Sequence, residues 1–363
     1  MCHARLARAV GLTAVIAHLL IVGATPAVGA DTPKFTLAGS IYAGWMPWYY
    51  ANESGLLAEW AEREGVEIEF APMEYMPSVA AYAAGQVDAC AMTNMDALSV
   101  SAEAGVDSTA LIVGDYSNGN DAILTRHGVG LSELTSRSIF LSQQSVSRYL
   151  FDRALTMYGL RETEYRIVDV SGGAIAAAYM AEPSAGAVVT WNPMVRHILN
   201  QAPDNDIIFD SSQIPGEILD LVAIRTHLLA TDSGKRFASA LTGAWYQALR
   251  RMQRRGPGAT DAIARMAEAA QVSVDEFNAQ LRTTAMFYTP HEAVAYILGR
   301  EAARKMDYVR HFCYAHGLLG VSAESADAVG ILLADGTTLG DPSNILLRFD
   351  TGYARGADPT AAP

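Results

Sequence analysis

The chain has 363 residues, a net charge of -13 and a hydrophobic content of 50%. This is enough apolar material for one large domain or two ordinary ones, so a largely disordered protein is excluded. The negative charge also argues against nucleic acid binding, because contacts with phosphates require a basic surface. The acidity serves either solubility alone or, where carboxylates line a cleft, the binding of a cation.

Residues 1–30 are predicted to be a cleavable secretory signal. Arg5 and Arg8 form a basic start, an apolar run covers 9–22, and the small residues VGA at 28–30 resemble a cleavage site. A membrane anchor is the weaker interpretation, because the apolar run is short. We therefore expect a periplasmic protein.

Strands and helices alternate along the first part of the mature chain. The pattern predicts strands at 34–42, 66–71, 87–92 and 109–114, helices at 47–62, 78–84 and 95–104, and an extended crossing segment at 122–125. Alternation of this kind is typical of parallel sheets covered by helices on both faces.

The same alternation then restarts. It predicts strands at 138–142, 165–168, 187–190 and 207–208, helices at 146–158, 173–180 and 193–199, and a second crossing at 221–224. Helical spacing dominates afterwards, at 233–254, 261–270, 274–281 and 291–316. Beyond 340 the chain is predicted to be loop-like. Cys90 and Cys313 are either a disulfide or two buried small hydrophobes.

Two α/β lobes joined by two hinge crossings are the architecture that this order predicts. The first lobe would contain 31–121 and 225–345, the second 122–224, and 346–363 would be a partly disordered C-terminal tail. In open sheets of this kind, ligands lie outside the carboxyl ends of the strands. The loops that directly follow each strand are therefore the candidate binding segments.

The candidate loops of the first lobe are aromatic and acidic. Five of the nine residues at 42–50 are aromatic, and a ring at a strand end is a natural wall for a flat or cationic ligand. The polar residues after the third strand are also candidate helix caps. The predicted ligand contacts in this lobe are Tyr42, Trp45, Thr93, Asn94, Asp96 and Asp115.

The second lobe and its return crossing offer four further candidates. These are Ser145, Trp191, Glu217 and Asp220. The candidate loops contain no Lys or Arg, although anion receptors commonly add such residues. Carboxylates with indole rings suit a small planar cation such as guanidinium, which carboxylates and aromatic stacking would match. Amides and carboxylates would equally suit neutral urea.

Six segments carry a resemblance to a known family. They are GWMPWY at 44–49, MTNMDAL at 92–98, GVDSTALIVGD at 105–115, SNGND at 117–121, VTWNP at 189–193 and IPGEILD at 214–220. Through them the chain resembles the nitrate/sulfonate/taurine-type substrate-binding proteins of ABC importers, and in particular the urea-carboxylase-associated branch with putative urea or guanidine ligands. The resemblance implies the α/β type II periplasmic binding protein fold and partnership with an ABC permease and ATPase. It also implies a small nitrogen-rich ligand, guanidine first and urea second, and a monomer is expected.

Three alternatives stay open. A sulfonate- or nitrate-type anion binding protein shares the fold, as does a thiamin-pyrimidine-synthase-like enzyme, and a sensor module would look the same in sequence. A glycine-rich phosphate loop, a metal-ligand spacing and a nucleophile elbow are all missing from the sequence. No enzyme activity, catalytic residue, metal or cofactor is therefore predicted.

Overall fold

The computed structural model describes residues 32–253 and 256–357. Its strands are β1 (Lys34–Gly39), β2 (Glu67–Pro72), β3 (Ala89–Thr93), β4 (Ser108–Ser117), β5 (Asp121–Arg126), β6 (Ser138–Leu141), β7 (Arg166–Asp169), β8 (Ala187–Trp191), β9 (Asn205–Asp210), β10 (Leu219–Arg225), β11 (Thr284–Met286), β12 (Gly330–Leu332), β13 (Thr338–Leu339) and β14 (Ile345–Phe349). The predicted signal at 1–30 lies outside the described residues.

Thirteen α-helices lie within the described residues. They are α1 (Met46–Glu53), α2 (Leu56–Glu64), α3 (Tyr75–Ala83), α4 (Asn94–Asp96), α5 (Val146–Tyr158), α6 (Ile175–Ala181), α7 (Met194–Gln201), α8 (Asp232–Gln253), α9 (Pro257–Ala269), α10 (Val274–Leu281), α11 (Pro290–Ile297), α12 (Arg300–Ala315) and α13 (Gly352–Gly356). A π-helical turn, Ala97–Ala102, continues α4. None of the described helices has the length and apolar character needed to span a membrane.

The strands form two mixed sheets. The larger has the order β13-β12-β14-β4-β10-β3-β1-β2, with β11 added to β4, and the smaller has the order β7-β6-β8-β5-β9. The chain leaves the larger sheet after β4, enters the smaller one at β5, and returns between β9 and β10. The strands β1, β2 and β3 are mutually parallel, as are β6, β7 and β8, so their carboxyl ends collect at one edge of each sheet.

Alternating burial explains how the sheets are covered. Along β5, Ile123 faces the main hydrophobic core, whereas Ala122 and Leu124 face a second apolar cluster on the opposite side of the smaller sheet. Successive side chains of a strand point to opposite faces, so β5 is buried on both. A strand buried on both faces needs apolar residues at nearly every position, which is what the sequence provides.

Several sequence predictions need correction. The helix predicted at 47–62 is two helices, because Gly55 adopts a left-handed φ of 80° between α1 and α2. The predicted crossing at 221–224 is β10, which pairs antiparallel with both β3 and β4 in the larger sheet. The predicted tail from 346 instead contains β14, parallel to β4, and α13. The lobe boundaries stay a prediction.

Other predicted boundaries also need correction. The helix predicted at 291–316 is two helices, α11 and α12, and the helix predicted to begin at 78 begins at Tyr75. The helix α11 begins at Pro290, and Thr289 caps it and forms a reciprocal capping box with Glu292. Cys90 and Cys313 are both free and buried, which is the second of the two interpretations above.

Candidate functional site

A small cavity lies where strand ends of both sheets meet. It encloses about 20 Å³, slightly more than the roughly 10–15 Å³ that one water molecule needs. Its walls are Tyr42, Trp45, Tyr75, Thr93, Asp121, Val146, Trp191, Ile218 and Asp220. Five of the nine residues lie at the end of a strand or at the first residue of a helix that follows a strand, namely Tyr75, Thr93, Asp121, Val146 and Trp191.

Four aromatic rings form a continuous wall of the cavity. Tyr42 contacts Trp45 edge-on at 5.0 Å between ring centroids, and Trp45 lies 5.1 Å from Tyr75. Tyr75 in turn meets Trp191 in a T-shaped contact at 6.2 Å. The first three rings come from loops of the larger sheet, whereas Trp191 ends β8 of the smaller sheet. The wall therefore spans the gap between the two sheets.

A pair of carboxylates lies at one end of the cavity. Asp220 at the start of β10 is the cross-strand partner of Asp115 in β4, and both side chains are buried. The two carboxyl groups lie on neighbouring strands, and the Tyr42 hydroxyl donates to Asp115 Oδ1 at 3.0 Å. Burial raises the pKa of Asp115 to about 7, and burial together with the negative charge of Asp115 raises the pKa of Asp220 well above the ordinary value. Near neutral pH the pair therefore retains one proton.

A third carboxylate joins the cavity to the crossing segments. Asp121 opens β5 opposite Trp191, and its Oδ2 accepts a hydrogen bond of 2.5 Å from Ser117 Oγ. The same hydroxyl lies 2.7 Å from Ser211 Oγ, on the returning crossing. Burial raises the pKa of Asp121 to about 6. A charge placed beside Asp121 is thus linked through hydroxyl groups to both crossings.

The cavity has no basic wall. Within 32–253 and 256–357, no Lys, Arg or His side chain lines it. Two of its polar groups are carboxylates, and Asp115 lies directly behind one of them. Chemically, the cavity can accept hydrogen bonds, compensate a positive charge and stack a flat group against indole and phenol rings.

Solved structures share this architecture, although no family model and no curated protein matches the sequence. The periplasmic aliphatic sulphonate binding protein SsuA from Escherichia coli aligns with a TM-score of 0.64 and 16% identity, over 80% of this chain and 95% of that chain. The periplasmic nitrate-binding protein NrtA from Synechocystis PCC 6803 aligns with a TM-score of 0.55 and 12% identity, over 92% of this chain and 99% of that chain. The Candida albicans CA3427 gene product aligns with a TM-score of 0.58 and 16% identity, over 81% of this chain and 92% of that chain. It is described as exhibiting the generic periplasmic binding protein structural fold.

The chain has the periplasmic binding protein fold. The fold class predicted from the sequence is thereby confirmed. Because the identities lie between 12% and 16%, these likenesses establish the fold and leave the ligand to be inferred from the cavity itself. In this fold the cavity occupies the expected place, between two sheets at their strand ends.

The structure divides the sequence-predicted site residues into two groups. Tyr42, Trp45, Thr93, Trp191 and Asp220 line the cavity. Asn94, Asp96, Asp115, Ser145 and Glu217 do not. Asp115 and Asp96 lie behind the lining residues and form hydrogen bonds with them. Asp115 accepts a hydrogen bond from the Tyr42 hydroxyl. Asp96 accepts one from the Tyr75 hydroxyl and one of 2.7 Å from Thr93 Oγ1.

The other three residues serve the local backbone or an ion pair. Asn94 donates to the carbonyl of Glu217 at 3.0 Å and accepts from the amide of Leu219 at 3.1 Å, so it fixes the return crossing. Ser145 caps α5, accepting from the amide of Ser147. The carboxylate of Glu217 binds Arg153 through both oxygens, at 2.7 and 3.1 Å, and these bonds turn it away from the cavity.

Four wall residues were not among the predicted contacts. Tyr75 follows β2, a strand end whose loop the sequence reasoning passed over because the helix was predicted to begin at 78. Applying the strand-end rule to β2 would have found it. Asp121 is the last residue of the SNGND segment at 117–121, which contributes to the family resemblance. Val146 and Ile218 are apolar neighbours of the predicted Ser145 and Glu217, and nothing in their own chemistry marks them.

Removal of the Glu217 carboxylate is expected to destabilise the protein. Glu217→Ala leaves Arg153 and the Tyr149 hydroxyl, which donates to Glu217 at 2.5 Å, without their acceptor. Breaking a largely buried ion pair costs about 3 kcal/mol. Thermal unfolding is the suitable measurement, because urea and guanidinium are candidate ligands. Glu164→Ala, which breaks the exposed pair with Arg161, should cost less than about 1 kcal/mol, and equal losses in the two variants would contradict this assignment.

The carboxylate cluster is expected to make the ligand-free protein less stable as pH rises. A carboxyl group with a raised folded-state pKa contributes stability below its ordinary pKa of 3.8 and loses it as pH rises through the folded value, about 6 for Asp121 and about 7 for Asp115. Asp115→Asn should therefore raise the unfolding free energy at pH 8 by about 1–3 kcal/mol. Thermal unfolding from pH 4 to pH 8 measures both effects. A stability that rises with pH in this range would contradict them.

One group of side chains elsewhere has the composition of a metal site. Asp152, Glu162 and His316 bring ligand atoms within 4.8 Å of one another, and they are the one such group within the described part of the chain. His316 Nε2 lies 3.0 Å from Glu162 and 3.7 Å from Asp152. Arg148 already pairs with Glu162 at 2.7 Å, so the cluster is compensated by cationic side chains, and none of its residues lines the cavity.

Proposed function

We propose that this protein is a periplasmic solute-binding receptor of an ABC importer, and that its ligand is a small planar nitrogen compound. Guanidinium is the first choice and urea the second. The receptor role is supported by the fold and by the position of the cavity between the two sheets. The chain passes from one of these sheets to the other and back again. Export to the periplasm, a monomeric state and docking to an ABC permease and ATPase belong to the same proposal.

The charge of the cavity carries the ligand assignment. Asp121 and Asp220 line it, Asp115 is the cross-strand partner of Asp220, and all three are buried. Two like charges about 4 Å apart repel by about 4 kcal/mol at an effective dielectric constant of 20. A nitrate or sulfonate group would meet this repulsion without a cationic side chain to offset it. A monocation would instead relieve the repulsion among the carboxylates.

Shape supports the same ligand class. The cavity of about 20 Å³ is bounded by the rings of Trp45 and Tyr75 and by Trp191. A flat guest of a few heavy atoms can stack on such rings while its edges donate hydrogen bonds to carboxylates. Guanidinium, which has donors around its whole edge, fits this combination.

Urea is kept as the second candidate because of one atom. The indole Nε1 of Trp45 is buried and has no hydrogen-bond partner among the described residues. Urea offers a carbonyl oxygen that can accept from this donor, whereas guanidinium has no acceptor. A buried donor without an acceptor costs about 1–3 kcal/mol, so its satisfaction by a carbonyl would favour urea.

Calorimetry with a ligand panel tests the proposed function. Mature protein, residues 31–363, would be titrated with guanidinium, urea, methylguanidinium, taurine and nitrate, and unfolding followed by heat. At a hundred times its dissociation constant a ligand stabilises by about 2.7 kcal/mol, or about 4 °C for a chain of this size. We expect guanidinium to bind most tightly. Binding of nitrate or taurine without binding of guanidinium would overturn the ligand assignment.

Loss of the Trp45 ring is expected to weaken ligand binding. Trp45→Ala removes one stacking surface, which for a cation is worth about 1–2 kcal/mol, so affinity for guanidinium should fall about tenfold. Trp60→Ala is the matched control, since Trp60 lies on α2 with its Nε1 bonded to Gln247 and does not line the cavity. An equal loss of affinity in both variants would show that the effect is not local to the cavity.

A further inference from the structure

Two rings that contact each other in the wall of the cavity limit its size. Tyr75 is the first residue of α3, after β2 of the larger sheet, and Trp191 is the last residue of β8 in the smaller sheet. Their centroids are 6.2 Å apart and their planes cross at 76°. A ligand between the sheets has to fit beside this contact.

Tyr75 is held by its hydroxyl group. The hydroxyl donates to the buried carboxylate of Asp96 and accepts from the amide of Thr93 at 3.0 Å. Its ring packs against Trp45 on another side. If the ring tilted away to admit a larger ligand, the amide of Thr93 would lose its acceptor and Asp96 would lose a donor, and both are buried. Such losses are costly, so this side of the cavity is stiff.

Trp191 is backed by a residue without a side chain. A Cβ built on Gly172 would lie 2.5 Å from Cη2 and 2.8 Å from Cζ2 of the indole. The ring therefore rests directly against the backbone at Gly172, and it has no room to move back. Its own backbone is paired with Asp121 in the smaller sheet. Both rings are thus fixed from behind.

We propose that the Tyr75–Trp191 pair, with Gly172 behind it, restricts the ligand to unsubstituted compounds and excludes N-alkylated guanidines and ureas. This inference rests on the proposed function and names the part of the site that selects by size. A methyl group added to guanidinium would have to occupy space that Tyr75 and Trp191 bound, so one of the two rings would have to move. Overpacking of this kind in a stiff site lowers affinity by roughly tenfold to a hundredfold.

The test compares guanidinium with methylguanidinium in the wild-type protein and in two variants. Wild-type protein should bind methylguanidinium at least about tenfold more weakly. Trp191→Phe shortens the wall on one side, so the ratio of the two affinities should fall to within about threefold. Gly172→Ala pushes the indole towards Tyr75, so affinity for guanidinium itself should fall about tenfold. Gly258→Ala, where a Cβ meets nothing within 4 Å, is the matched control and should bind as the wild type does.

The possible outcomes separate this inference from the proposed function. Equal binding of guanidinium and methylguanidinium by the wild type, within about threefold, overturns the size limit and leaves the receptor role intact. Another outcome is that the wild type prefers guanidinium over methylguanidinium while Trp191→Phe unfolds cooperatively and keeps the same preference. That result also overturns the role of this ring. Absence of binding for both guanidinium and urea overturns the proposed function itself.

Discussion

Replacing Asp220 by Asn is expected to lower the affinity for guanidinium about 100-fold or more. Asp220 lines the cavity and is the cross-strand partner of the buried Asp115. Asn has the same shape but no charge, and its amide presents donors where guanidinium also presents donors. Removal of one partner from a buried, hydrogen-bonded ion pair costs about 2–5 kcal/mol or more, and titration calorimetry at pH 7.5 measures the loss.

A matched carboxylate provides the control for this variant. The side chain of Asp232 is 97% exposed at the start of α8, so Asp232→Asn should leave affinity unchanged. Urea carries no charge, and its affinity should fall much less than that of guanidinium in Asp220→Asn. If Asp220→Asn folds and binds guanidinium as the wild type does, the ligand lies elsewhere.

Affinity for guanidinium is expected to rise about tenfold per pH unit between pH 5 and about pH 7. In the ligand-free protein, burial raises the pKa of Asp121 to about 6 and that of Asp115 to about 7, and burial with the negative charge of Asp115 raises the pKa of Asp220 well above its ordinary value. A bound cation favours the ionised carboxylates and lowers these pKa values, so binding releases protons and becomes tighter as pH rises. Guanidinium itself keeps its charge throughout this range.

Proton release can be counted directly. Titrations at pH 6 in buffers with different ionisation enthalpies should show about one proton released per guanidinium bound. Asp115→Asn is the informative variant, because without the negative charge of Asp115 the pKa of Asp220 should fall and the pH dependence should move to lower pH. Urea provides the internal control, since a neutral ligand should release far fewer protons. An affinity for guanidinium that falls with rising pH would contradict the assignment of a carboxylate site.

Much of the fold could be predicted because many of its helices and strands have recognisable signals in their own local sequence. The helix predicted at 146–158 is α5, bounded by the cap at Ser145 and by Gly159 in the left-handed region. Short strands that depend on distant partners could not be predicted. Ile345–Phe349 pairs with a strand more than 200 residues earlier, and nothing in its own few residues separates a strand from a loop. Local periodicity does not report such pairing.

The candidate site shows the same division. The strand-end rule led to Tyr42, Trp45, Trp191 and Asp220, all of which line the cavity. It could not show that the acid in the return crossing is already bound, since Glu217 finds Arg153 on a helix 64 residues earlier. An acidic residue beside a cleft has the same appearance in sequence whether its partner is a ligand or another side chain.

A crystal structure of the mature protein grown with guanidinium at pH 7.5 is the most direct measurement of the central claim. Planar density should lie between the two sheets, with nitrogen atoms within hydrogen-bond distance of Asp121 and Asp220 and one face against Trp45. Density for guanidinium outside this cavity, or a nitrate or sulfonate ion inside it under matched conditions, would contradict the claim.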